Sequence, residues 1–161
     1  MVLSVRAAGA ADLAAIQSIA AASPGAAQWT PAQWESLFRK DSSRIVLVAV
    51  ETQAASPQIL GFLVAASGAA GEWELENMAV AAAARRRGIG AELIGELVRT
   101  AEKRDARAIH LEVRAANQAA RGLYERSGFR QVGVRPRYYS CPTDDAVLYT
   151  RELAPEPSKT G

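Results

Sequence analysis

The feature that most constrains this chain is a short run of arginines and glycines placed between a strand-like segment and the best helical repeat in the sequence. From Gly88 onward, Ile89, Leu93, Ile94, Leu97, Val98 and Ala101 recur at the spacing of one helix face, and the pattern predicts a helix ending near Arg104-Asp105. Arg85-Arg86-Arg87-Gly88-Ile89-Gly90 opens that helix, and Trp73 to Val80 reads as the strand that feeds it. In such a strand-loop-helix the loop's N–H groups point just beyond the strand end. Unpaired donors and the positive end of the helix dipole then make an anion site suited to a diphosphate. Glycine admits a phosphate to the backbone without a β-carbon in the way, and arginine adds charge-assisted hydrogen bonds. Taken alone, the same run also reads as a basic helix start after a glycine-rich turn.

The rest of the chain supplies elements to surround it. Val2 to Arg6 reads as a strand, and Leu13, Ile16, Ile19 and Ala20 follow Asp12 at helical spacing, with Asp12 a first-turn or capping carboxylate and Ser23-Pro24-Gly25 the stop. Thr30-Pro31 predicts a second helix start whose buried face is Trp34, Leu37 and Phe38. Arg44 to Val50 and Gln58 to Ala66 predict an antiparallel pair. In Trp73 to Val80, simple alternation sets Trp73, Leu75, Asn77 and Ala79 on one face and Glu74, Glu76, Met78 and Val80 on the other, an unexpectedly acidic one. Ala108 to Arg114 predicts a further strand. Asn117 caps a short helix carrying Ala120, Leu123 and Tyr124, which Ser127-Gly128 ends. Phe129 to Val134 and Ala146 to Leu153 predict the last two strands.

With 161 residues, 49% of them hydrophobic, the chain can bury a continuous core without disulfide or structural metal. One domain over residues 1–153 is expected, followed by a disordered tail over 154–161. Cys141 is the sole cysteine and His110 the sole histidine, which excludes an internal disulfide, a Cys/His zinc cage and a Cys-His nucleophile pair. A formal charge of +2 carries no nucleic-acid footprint, although arginines cluster locally. The N-terminal residues lack the apolar run of a signal peptide and no stretch is apolar enough to span a bilayer. A cytoplasmic protein is expected, a monomer or weak dimer, with no metal, no membrane and no direct nucleic-acid partner.

Four blocks occur in order: Glu76-Asn77-Met78-Ala79-Val80, Arg85-Arg86-Arg87-Gly88-Ile89-Gly90, Leu111-Glu112-Val113-Arg114-Ala115-Ala116-Asn117, and Leu123-Tyr124-Glu125-Arg126-Ser127-Gly128-Phe129. Together they resemble the successive motifs of the GNAT superfamily of acetyl-CoA-dependent N-acetyltransferases. The last two blocks, with Arg135-Pro136-Arg137-Tyr138-Tyr139 and Asp144-Asp145-Ala146, are similar to the RimI type, which acetylates N-terminal alanine of a small-subunit ribosomal protein. The resemblance covers about half the chain. It implies an α/β (α+β) fold, with a mixed, mostly antiparallel central sheet of about six to seven strands and about four helices. A splayed pair of parallel strands in that sheet would form the acetyl-CoA cleft. It further implies that Arg85, Arg86, Arg87, Gly88, Ile89, Gly90 and Ala91 bind the diphosphate. Met78, Ala79 and Val80 would line the pantetheine and acetyl group, and Asn117 would contact the cofactor. Ala81-Ala82-Ala83-Ala84 departs from the His or Asp followed by Pro that family members often carry, and Gln28-Trp29-Thr30 is only loosely similar to the Pro-Trp-Ser element expected to shape the peptide site.

Acetyl transfer to an amine requires a neutral nucleophile, donors for the oxyanion and a hydrogen-bond donor for the departing thiolate. A protein N-terminus eases the first need: with an α-amino pKa near 8, roughly one amine in ten is neutral at pH 7, against fewer than about one in a thousand for lysine. Glu112 lies opposite the apolar Ile109, Leu111 and Val113 and is the candidate general base, matching the base of RimI proteins; the alternative is a simple ion pair with Arg114 or Arg126. Tyr124 is the candidate general acid, which the resemblance sets beside the thioester sulfur; the alternative is a buried aromatic. A backbone N–H near Met78 to Val80 is the expected oxyanion donor. Glu74 and Glu76 would make the cleft negative toward a cationic peptide, with Tyr138 and Tyr139 bracketing its side chains. Equally, the two acids would face solvent or pair with arginines, and the tyrosines would stiffen a hairpin. The leading expectation is acetylation of a protein N-terminus, that of ribosomal protein eighteen. A broader acetyltransferase for small-molecule or other peptide amines and a non-catalytic acyl-CoA-binding module are the alternatives.

Overall fold

A computed structural model describes residues 2–53 and 55–154. The expected tail beyond Ala154 lies outside the described residues. Among the described residues seven strands form one sheet: β1 (Leu3–Ala7), β2 (Arg44–Glu51), β3 (Gln58–Ala66), β4 (Glu72–Val80), β5 (Ala108–Arg114), β6 (Arg130–Tyr139) and β7 (Asp144–Glu152), in the order β1-β2-β3-β4-β5-β7-β6. Every neighbouring pair is antiparallel except β4 with β5. Among the described residues four α-helices accompany the sheet: α1 (Leu13–Ala21), α2 (Pro31–Ser36), α3 (Ile89–Lys103) and α4 (Gln118–Arg126). The mixed, mostly antiparallel sheet expected from the sequence is thus borne out.

Two apolar layers hold the sheet. On one face Leu93, Ile94, Leu97 and Ala101 of α3 pack with Leu63, Trp73, Leu75, Ile109 and Leu111, and Leu93 and Leu97 are wholly buried. Truncating either to alanine is expected to cost about 2–5 kcal/mol. On the other face Ile16 and Ala20 of α1 and Trp34 of α2 meet Val48, Phe62, Val64 and Ala79. Helix α2 begins as its sequence predicts: Thr30 Oγ1 accepts from the Gln33 N–H at 3.2 Å while Gln33 Oε1 accepts from the Thr30 N–H at 2.8 Å. It stops at Ser36, so Leu37 is buried from the turn beyond it and not from the helix. Asp12 does not cap α1; its carboxylate accepts from the Gly9 N–H and from Arg6, closing the 3-10 turn Ala10–Asp12. Strand β6 runs on through Tyr139, five residues past the predicted end.

The alternating faces read for Trp73 to Val80 need correction. Strand β4 carries a bulge: Val64 pairs Asn77 and Ala65 pairs Leu75, which leaves Glu76 with no partner on β3. Trp73 and Leu75 therefore face α3 together with Met78 and Val80, whereas Asn77 and Ala79 turn to the α1–α2 side. Periodicity of two cannot foresee an inserted residue, because each bulge inverts every face after it.

Candidate active site

The site follows from where β4 and β5 cease to pair. Their parallel ladder joins Glu72–Ala108, Trp73–Ile109 and Glu74–His110 and goes no further, although β4 continues to Val80 and β5 to Arg114. Past Glu74 the edge of β4 turned toward β5 has no strand partner among the described residues. Alternate peptide groups up to Val80 present N–H and C=O to the gap. This is the splayed parallel pair expected from the sequence. At its closed end His110 bridges the two strands, hydrogen bonded through Nε2 to Glu72 and through Nδ1 to Thr150 Oγ1, the latter at 2.8 Å.

Beyond the end of β4, Ala81-Ala82-Ala83-Ala84 forms one 3-10 turn and delivers the chain to α3. Gly88 sits at the N-cap with φ 76°, and Arg86 also has positive φ, 64°. The amides of Ile89, Gly90 and Ala91, in the first turn, take no backbone acceptor among the described residues. A β-carbon on Gly88 would meet nothing within 4 Å, so the N-cap borders open space. Gly90 is different: a β-carbon there would stand 2.8 Å from Leu123 Cδ2, so this glycine admits α4 against α3. Arg85, Arg86 and Arg87 are exposed around the turn, and Arg85 Nε donates to the Val80 C=O at 3.3 Å. These donors and this space fit a diphosphate, and the parted strands fit the slender arm attached to it.

Glu112 projects from β5 on the face opposite Ile109, Leu111 and Val113, which are buried. Its carboxylate meets Arg135 Nη1 at 3.2 Å, and neither Arg114 nor Arg126. Arg114 instead donates to the C=O groups of Pro142 and Ser140, at 2.9 and 3.2 Å, with its guanidinium 4.5 Å from the Tyr139 ring centre. Tyr138 is exposed beside Glu112, whose charge and hydrogen bond push its phenol above the ordinary range. Burial, then the charge of Glu112, does the same to Tyr139. Tyr124 is 7% exposed, against Phe129 and Tyr149. Burial pushes its hydroxyl from 10.0 up to about 12, with Tyr139 adding to the effect. Helix α4, which carries it, starts at Asn117, whose Oδ1 accepts from the Ala120 N–H at 3.2 Å. Glu125 and Arg121 of the same helix hold the Tyr149 hydroxyl from two sides, at 2.8 and 3.1 Å.

The acids on β4 differ. Glu76 is held by a bidentate ion pair from Arg44 of β2, one contact at 3.0 Å. Glu74 makes no ion pair among the described residues, and desolvation, then the charges of Glu76 and Glu112, raise its carboxyl. Among the described residues no group of three His, Cys, Asp or Glu side chains is arranged to hold a metal ion, and no helix is long and apolar enough to cross a membrane.

Three residues of this region have no role in the sequence reading. Asn77 is 3% exposed, with its amide spent on the backbone of Ala27. A polar side chain in a run of buried positions was its signal. Arg44 and Arg135 reach the site from strands distant in sequence, and no local pattern announces either.

A parted parallel pair leading to a helix start with spare amides defines a class of acyl-CoA-dependent transferases. The model of the acetyltransferase (GNAT) family matches residues 12–129, and the chain belongs to that family. It is 43% identical over 74 residues to the [ribosomal protein bS18]-alanine N-acetyltransferase of Escherichia coli K12, covering 46% of this chain and 49% of that protein. It is 40% identical over 81 residues to N-alpha-acetyltransferase RimI of Mycobacterium tuberculosis, covering 50% and 49%. The match thus spans about half the length of each of these two relatives. The crystal structure of the Escherichia coli ribosomal-protein-S18-alanine N-acetyltransferase superposes with a TM-score of 0.81 at 25% identity, over 99% of both chains. The family uses acetyl-CoA, and the resemblance to RimI-type members seen in the sequence is borne out.

Proposed function

We propose that this chain transfers the acetyl group of acetyl-CoA to the α-amine of a protein N-terminus, with the N-terminal alanine of ribosomal protein eighteen as the acceptor. One observation carries the reading: the parallel ladder ends at Glu74–His110, with a carboxylate on one parted strand and a buried phenol on the helix that follows it. The relatives named for that reaction support it.

Acetyl-CoA supplies an activated acyl carbon and a thiolate that departs as the amide forms. Ile89, Gly90 and Ala91 donate their amides to the diphosphate, with Arg85, Arg86 and Arg87 around it, and Gly88 lets the chain turn there. Met78, Ala79 and Val80 line the pantetheine arm, and a peptide N–H of the same edge donates to the developing oxyanion. Asn117 borders the cofactor at the start of α4. Glu112 takes the amine's proton through a bound water, and the Tyr124 hydroxyl donates to the sulfur. With its pKa raised, Tyr124 is a poor acid for a thiolate near 8.5, so it acts chiefly as a hydrogen-bond donor. Glu74 faces a cation in the peptide, while Tyr138 and Tyr139 flank its first side chains.

The test is thiol release from acetyl-CoA with an Ala-Arg-starting peptide, a lysine peptide and small polyamines. Release confined to the first is the expected result. Release with all three would favour the broader acetyltransferase, and binding without release would overturn catalysis.

A further inference from the structure

The segment between α1 and α2, residues 22–30, is fastened to one wall of the cleft and lies against the other. On the β4 wall, Asn77 Oδ1 accepts from the Ala27 N–H at 3.0 Å and Nδ2 donates to the Ala27 C=O at 3.3 Å. These bonds exist because the extra residue Glu76 turns Asn77 away from the α3 layer. On the side of β5 and α4, Gly25 lies against Asn117: a β-carbon built on Gly25 would stand 2.8 Å from Asn117 Nδ2. The other end of that amide is committed to the Ala120 N–H, which keeps its nitrogen toward Gly25. Gly25 and Ala27 are two residue steps apart, so the chain between them spans at most about 7 Å. Asn77 stands on β4 past its parting from β5 and Asn117 stands just beyond the end of β5, and this short length of backbone runs from one to the other.

The segment is also braced within itself. Ser23 Oγ donates to the Ile19 C=O at 2.7 Å, the Ala26 N–H donates to the Ser23 C=O at 3.1 Å, and Ala26 is buried. Two residues past the Asn77 clamp stands Trp29, its ring 4.9 Å from that of Trp34. Trp29 is the wall between a cavity of about 290 Å³ lined by Gln17, Ala20 and Gln28 and a smaller one of about 80 Å³ lined by Gln33, Arg44 and Glu76. The second opens beside the acidic side of the cleft.

We propose that Asn77 is a positioning residue for the acceptor: with Gly25 abutting Asn117, it holds residues 25–29 as a strap across the parted strands and fixes Trp29 as the surface against which the acceptor's first side chains are selected. The proposal rests on acetyl transfer to a peptide amine as set out above. Both bonds of the clamp go to backbone, so the strap's position is set by Asn77 whatever side chains the strap carries. The Asn77 amide is spent on the Ala27 backbone, so its loss is expected to act first on the strap and through it on the acceptor.

The test compares wild type with Asn77→Leu, which keeps the volume and removes both bonds, and with Ala27→Pro, which removes from the strap itself the N–H that Asn77 accepts. Peptide KM is measured with acetyl-CoA saturating, acetyl-CoA Kd by calorimetry, and amide hydrogen exchange over residues 22–30. Each variant is expected to raise KM for the Ala-Arg-starting peptide about tenfold, to leave acetyl-CoA Kd within about twofold, and to speed exchange in the strap while β3 and β4 stay protected. An unchanged peptide KM in a folded variant, or an equal loss of acetyl-CoA affinity, overturns the proposal. Should Asn77→Leu not fold, Ala27→Pro decides by the same criteria. A wild-type chain that binds acetyl-CoA and acetylates no amine would dispose of the reaction. Exchange would then decide the strap: faster in the variants sustains it, unchanged overturns it.

Discussion

Arg135 reaches over strand β7 to set Nη1 3.2 Å from Glu112 Oε1. Both partners see solvent, Arg135 at 57% and Glu112 at 25% side-chain exposure, so the pair contributes at most about 1 kcal/mol. If Glu112 is the base, Arg135 competes with the bridging water for its oxygens. Arg135→Gln is then expected to raise kcat/KM, by no more than about fivefold, the equivalent of that 1 kcal/mol. Glu112→Gln is expected to lower kcat by about a hundredfold or more with acetyl-CoA Kd unchanged. Steady-state thiol release with the Ala-Arg peptide measures both. A tenfold loss in Arg135→Gln would mean that the guanidinium binds substrate.

Tyr124 has its hydroxyl pKa raised from 10.0 to about 12, and a neutral phenol is therefore the form present throughout the working range. The protonated form is favoured by folding, so its stabilising effect is complete below pH 10 and is lost as pH rises from there through about 12. Once ionised in both states, the group would cost the fold roughly 3 kcal/mol. Alkaline unfolding of Tyr124→Phe is expected to begin at higher pH than that of wild type, while its kcat at pH 8 falls by about a hundredfold. Circular dichroism against pH reads the first and thiol release the second. Full turnover in Tyr124→Phe would remove the hydroxyl from the chemistry.

Much of this arrangement is legible in the sequence because it rests on local rules. The α3 repeat, the Thr30-Pro31 start, the Asn117 cap and the Gly128 stop at φ 87° each need only neighbouring residues to be read. What the sequence hides is what depends on distant partners. The Glu76 bulge appears only when β4 is laid against β3, and with it vanish the simple faces of β4 and the reason for Asn77. The partners of Glu112 and Glu76 come from Arg135 and Arg44, 23 and 32 residues away, and proximity in sequence favoured Arg114 and Arg126 for Glu112.

Glu74 and Glu76 are expected to part company in a mutational test. Glu76 is already neutralised by Arg44, so Glu76→Gln breaks a partly exposed pair and changes stability by under about 1 kcal/mol, with peptide KM unchanged. Glu74 carries a carboxyl raised by desolvation and by the charges of Glu76 and Glu112, so its ionisation is unfavourable in the folded chain. Glu74→Gln is expected to leave thermal stability equal or higher. It should also raise KM for an Ala-Arg peptide about two- to fivefold, with no effect on an Ala-Ala peptide. Because a raised carboxyl pKa delays the negative charge, wild-type preference for the arginine peptide should grow as pH rises through the acid range. A preference that is flat with pH would remove Glu74 from acceptor selection.

The glycines at the start of α3 are expected to fail for different reasons. Gly88 has φ 76° and open space where a β-carbon would go, so Gly88→Ala meets no clash and carries only the left-handed penalty, about 1–2 kcal/mol. That substitution should lower the melting temperature, and its methyl, standing at the mouth of the proposed diphosphate site, should weaken acetyl-CoA binding. Gly90 is helical and buried, and a β-carbon there presses Leu123 Cδ2 at 2.8 Å. Since Leu123 immediately precedes Tyr124 on α4, Gly90→Ala must turn that side chain or push α4 outward, and either outcome disturbs the phenol. Its signature should be a fall in kcat exceeding the loss of acetyl-CoA affinity, whereas in Gly88→Ala the loss of affinity should dominate. Calorimetry with acetyl-CoA beside single-turnover rates separates the two, and the same ratio in both variants would show that the glycines act through one common distortion of the loop.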